Sequence, residues 1–124
     1  MQQVNASISD AILAFAQSEK IKSSLISITQ TLEFLPALSP EERSGAEKVV
    51  RLLLGMTMHE VALAKTLATR GWDWDDLAAL LEKALVMTDS GVAQEASVLL
   101  ARAISLATTV GQRTMVFLKE EHLL

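Results

Sequence analysis

The stretch from Ser39 to Gly71 constrains the fold more than any other. It opens Ser39-Pro40-Glu41-Glu42, continues without a second proline, and ends Arg70-Gly71. Ser39 is a good N-cap, Pro40 suits the first helical position, and Glu42 stands where a capping-box carboxylate reaches back to the cap. Gly71 offers a left-handed stop, and Arg70 meets the negative end of the helix dipole. These signals predict one helix over residues 40–70. Between Leu52 and Ala64 it is apolar on nearly every face, with His59 and Glu60 its only ionisable groups. A helix that is apolar all round needs cover on all sides, from its own chain or from another.

Three further helical patterns flank it. Residues 7–34 form the first helix. Its stripe is Val4, Ile8, Ala11, Phe15, Ser18, Ile21, Leu25, Ile28, Leu32 and Leu35, spaced mostly in alternating threes and fours. Two successive threes flank Ser18, which implies a phase slip there, and the small serine suits close approach of a neighbour. Leu35-Pro36 stops the helix, because the residue before proline is pushed out of the α region. Residues 74–87 form a short helix with Asp73 as its expected N-cap, and Trp72 and Leu77 at the two positions of a hydrophobic staple. Residues 91–120 form the last helix, with the stripe Val92, Ala96, Leu99, Ala103, Leu106, Val110 and Phe117. The tail from Glu120 to Leu124 is expected to fray.

Composition agrees. Half of the 124 residues are hydrophobic but only 4% are aromatic, and no Tyr- or Thr-rich runs alternate with turn signals. The expected fold is all-α: a single domain over residues 1–124, a helical bundle of about four main helices, three long and one short. The long helices would span about 40–45 Å and the short one about 20 Å, so the last helix should overshoot its short partner by roughly half its length. Either the last helix crosses at an angle or a second subunit fills that gap, and the positive mean hydropathy favours apolar surface covered by another chain. The expected partner is a second copy in a homodimer. Its interface would use Gly55, Met58 and Ala62 on helix 2, or the small, weakly polar residues Ser97, Ala101 and Ser105 on helix 4.

Eleven basic against fifteen acidic residues leave a net charge of −4 without a clustered basic face, which argues against nucleic acid. Absence of cysteine removes disulfides, thiolate metal sites and a cysteine nucleophile. No secretory signal pattern and no spanning apolar run are evident, so a cytoplasmic protein is expected and membrane association is not.

The chemistry is sparse. His59-Glu60 begins like a metalloprotease H-E-x-x-H, but Leu63 holds the second histidine position. Met56 and His59 share a face with Met58 nearby, donors that suit Cu(I). The plainer reading of methionines on an apolar helix is core filling. Glu60 lies near the buried stripe and needs a cationic partner, Arg102 or Arg113, or an upward-shifted pKa. Glu-x-x-His pairs of di-iron bundles are absent, as are the glycine-rich phosphate loops. No catalytic residue, cofactor or metal site is assigned. The reading is a non-enzymatic helical interaction module, an adaptor, regulatory or assembly subunit, acting through apolar helix faces with another protein. One alternative is a bundle binding a small ligand or metal around Met56, His59 and Glu60, with Trp72 or Trp74 beside them. A second is an accessory protein at a membrane surface.

Overall fold

The computed structural model describes the backbone of residues 2–123 and the side chains of residues 7–123. Four helices carry the described chain, which contains no strand: α1 (Gln2–Phe34), α2 (Pro40–Leu67), α3 (Trp74–Asp89) and α4 (Ala96–Glu120). Short 3-10 turns at Leu35–Ala37 and Ala93–Glu95 lead out of α1 and into α4. Each helix packs on the next, and α4 closes the ring against α1. No helix among the described residues is long and apolar enough to cross a membrane.

Every helix buries a stripe spaced in threes and fours, alternating throughout except at the last step of α4. On α1 it is Ser7, Ala11, Ala14, Ser18, Ile21, Leu25, Ile28 and Leu32, running on to Leu35 in the turn. On α2 it is Val50, Leu54, Thr57, Val61 and Ala64, running on to Ala68. On α3 it is Trp74, Leu77, Leu81, Ala84 and Thr88. On α4 it is Ala96, Leu100, Ala103, Ala107, Val110, Thr114 and Leu118. That is the heptad spacing of left-handed bundles, in which each seam keeps facing its neighbours. The buried hydroxyls of Ser18, Thr57, Thr88 and Thr114 each donate to a carbonyl of their own helix, so they sit in the core without unpaired polar atoms.

Several expectations change. The α1 seam has no phase slip, because Ala14 rather than Phe15 faces the core and Phe15 stays half-buried at the rim. Val4 lies outside the described side chains. Ser18 is nonetheless a point of close approach: a Cβ built on Gly111 of α4 would lie 3.3 Å from its Oγ. Alanine, glycine and serine along both seams let α1 and α4 pack closely, and reading the larger residue as the buried one misplaces the stripe.

Helix α2 begins as expected. Ser39 Oγ accepts from the Glu42 amide, and the Glu42 carboxylate accepts from the Ser39 amide, which lowers the Glu42 pKa. It ends at Leu67, three residues before Arg70. Gly71 does adopt positive φ, but within the following hinge. Last, α4 closes with a Schellman motif instead of fraying. His122 is left-handed, its amide donates to the Lys119 carbonyl, and the Leu123 amide donates to the Leu118 carbonyl.

The expected half-length overshoot of α4 is also absent. An ion pair between Arg51 and Asp89 ties one end of α3 to α2, Lys65–Asp75 (2.7 Å) ties the other end to α2, and Arg113–Asp73 (2.9 Å) ties the start of α3 to α4. Helix α3 therefore covers α2 from Arg51 to Lys65. Because α4 starts at Ala96 instead of Gly91, only the turns beyond Arg113 outrun α3, and they lie along the start of α1. The gap that a second subunit was expected to fill does not exist.

Candidate interaction surface

The inner stripe accounts for only part of the apolar surface of α2, with Ala46, Leu53 and Met58 packed beside it. A second heptad runs along the outside: Val49, Leu52, Met56, His59, Leu63 and Thr66, again spaced in threes and fours, with Leu67 beside the last. All are exposed. Leu52 is 64%, Met56 56% and Val49 50% accessible. Val49, Met56, Leu63 and Leu67 thus point away from the core. Two seams on opposite sides of one helix explain why the sequence between Leu52 and Ala64 is apolar all round. Leu13 of α1 is also exposed and lies toward the same side. Between α1 and α2 a shallow cleft of about 260 Å³ is lined by Lys20, Ser24, Ser27, Leu53, Met56, Thr57 and Glu60.

Polar groups fix the rim of this face. Glu60 turns to α1, not to α4. Its carboxylate pairs with Lys20 Nζ at 3.2 Å and accepts from Gln17 Nε2 at 3.3 Å. The side chain is 26% accessible. The Lys20 bond, then the Gln17 bond, hold its pKa below the ordinary carboxylate value and outweigh desolvation. Of the two expected alternatives the structure has the cationic partner and not the upward shift, but the partner is Lys20 and neither arginine: Arg113 binds Asp73, and Arg102 is exposed. Lys20 and Gln17 were not read as partners, although both lie on one flank of α1, one helical turn apart from each other.

Of the residues expected at an interface, Ala62 is exposed and Gly55 half-buried, with nothing within 4 Å of where a Cβ would stand. Met58 turns inward and packs against the core. Ala101 and Ser105 are exposed on α4, while Ser97 is half-buried and its hydroxyl donates to the Gln94 carbonyl. These two groups belong to helices at opposite corners of the ring and do not form one surface.

The ligand set His59, Glu60, Trp72 and Trp74 is not brought together. His59 faces outward with Met56, and Glu60 faces α1. Both tryptophans are buried at the hinge after α2. There Asp10 of α1, 8% accessible, accepts from the Trp72 indole and from the Thr69 amide, each at 2.6 Å. The Trp74 indole donates to the Ala68 carbonyl at 2.9 Å. These bonds take up the groups that another turn of helix would have used, and α2 stops. Asp73 adopts positive φ and makes no side-chain cap. Its carboxylate binds Arg113, whose guanidinium also lies 5.4 Å from the centre of the Trp72 ring. Asp10 is the structural residue that the sequence reading missed. Its signal was a carboxylate one position from Ala11 on the buried side of α1.

Among the described residues no group of three or more His, Asp or Glu side chains is placed to hold a metal ion. The open cavity of about 510 Å³ at the hinge is lined by Asp73, Asp75 and Asp76, and the first two are neutralised by Arg113 and Lys65. Comparison with known proteins finds no match among family models, curated proteins or solved structures.

Proposed function

We propose that this protein is a non-enzymatic interaction module of the cytoplasm, an adaptor or assembly subunit that docks an apolar helix face of another chain on the outer side of α2. The observation that carries this reading is the second heptad of α2. Its apolar side chains expose on the order of 450 Å² together, the size of the largest apolar patch on a typical monomer, which is often functional. A heptad stripe about 27 Å long is what an incoming amphipathic helix reads. Leu52 and Met56 are the central anchors, and the Lys20–Glu60 pair at the rim gives the face a polar edge. Proximity labelling in the native host, with wild-type protein and with Leu52→Asp, tests the reading. Labelled neighbours, including other copies of the chain, should be lost in the variant. An unchanged set would refute docking at this face.

A further inference from the structure

We infer that the occupant of the α2 outer face is a second copy of this chain, with the two α2 helices antiparallel about a two-fold axis between Met56 and His59. This rests on the reading of α2 as a docking face and adds the partner's identity.

The stripe is close to a palindrome in size. Reading outward from its centre, Met56 is followed by Leu52 and Val49 in one direction, and His59 by Leu63 and Thr66 in the other. Reversal about the centre lays Leu52 over the partner's Leu63 and Met56 over the partner's His59. A face that maps onto itself under two-fold rotation is what an isologous dimer requires.

The flanks fit the same register. In an antiparallel pair the residues beside the seam face their own kind. Gly55 and Ala62 therefore meet the partner's Ala62 and Gly55. Small against small lets the backbones close in, and Gly55 has no neighbour within its own chain that a Cβ would strike. A glycine inside a helix is disfavoured relative to alanine, and here the reason for it lies outside the monomer.

Area supports a stable pair. A standard interface takes about 800 Å² from each partner. The α2 stripe supplies about half of that. His59, Ala62, the part-exposed Gly55, the Lys20 stem on the α1 side of the cleft and the exposed Leu13 are the groups on or beside the stripe that can add to it. No charged side chain of α2 lies on the stripe. Glu60, beside it, is already paired with Lys20 of its own chain.

The chain has no cysteine, so Leu52→Cys and Leu63→Cys each introduce a single thiol. Light scattering of the wild type over a hundredfold concentration range should give the mass of two chains. Leu52→Asp should retain its helical circular dichroism and raise the dissociation constant by at least about a hundredfold. Mild oxidation should link Leu52→Cys protein to Leu63→Cys protein when the two are mixed, and leave each alone largely unlinked. Linkage within each single variant would mean a parallel pair and would overturn the arrangement. A dimer insensitive to Leu52→Asp would place the contact elsewhere. A wild-type mass of one chain throughout would overturn self-association. In that last case, fluorescence of an apolar dye that depends on Leu52 would leave the docking face standing for a different partner, and its absence would remove both readings.

Discussion

Asp10 shows how one side chain sets the end of the next helix, 59 residues away in the chain. Its two oxygens serve two different N–H donors, the Thr69 amide and the Trp72 indole. Asparagine cannot replace it, because its NH2 would face one of those donors. Asp10→Asn should lower stability by about 2–3 kcal/mol, the penalty of a buried group left unpaired, read from the urea midpoint. Tryptophan emission should shift to the red in the folded state, since both tryptophans sit at the hinge that Asp10 holds. Glu60 is a milder case. Its folded pKa lies below the unfolded value, so its contribution is present above the unfolded value and is lost as pH falls through the folded one. The stability difference between wild type and Glu60→Gln should be small at pH 7 because the pair is partly exposed, and should vanish at a pH acid enough to protonate the carboxylate in the folded state. High salt should shrink it as well. Urea titrations at the two pH values measure this directly.

At the scale of elements, two glycines behave oppositely. A side chain on Gly111 would press against Ser18 across the α1–α4 contact. Gly111→Val should destabilise the protein by about 1–3 kcal/mol through overpacking, with a β-branched residue less suited to the helix as well. Gly55 faces open space. Gly55→Ala should stabilise the isolated monomer by up to about 1 kcal/mol, while weakening association if the two α2 helices approach at that point. Thermal melts at low concentration and dissociation constants separate the two effects. The starts and stops of elements were legible in the sequence wherever local chemistry decides them: the Ser39–Glu42 capping box and the stop at Leu35-Pro36 are where the spacing places them. The end of α2 was not legible, because Asp10 and the two indoles decide it from a distance. The α1 stripe was misread at Ala14 for a related reason. Hydrophobicity favours Phe15, whereas the closeness of α4 favours the smaller residue.

For the molecule as a whole, the all-α class followed from composition and periodicity, and the four helices from their turn signals. The candidate site was only half legible. The apolar centre of α2 stood out, yet the sequence alone does not say which of its two heptads faces inward, since both have the same spacing. The inner one differs by its valines, alanine and Thr57 at closely packed positions, and the outer one by Met56, His59 and Thr66. If the outer heptad is surface, a double change of Leu52→Asp and Leu63→Asp should leave monomer stability within about 0.5 kcal/mol. Loss of several kcal/mol would instead place that stripe in the core. The antiparallel closure of α4 on α1 has a separate consequence. Residues near 7 and near 122 lie at the same end of the bundle, beside the tryptophan hinge, while the turns around residues 35–39 and 90–95 form the other end. A fusion attached at either terminus would hang from one pole of the molecule, clear of the middle of α2 around Met56 and His59. In the antiparallel pair the two tethers would therefore leave from opposite ends.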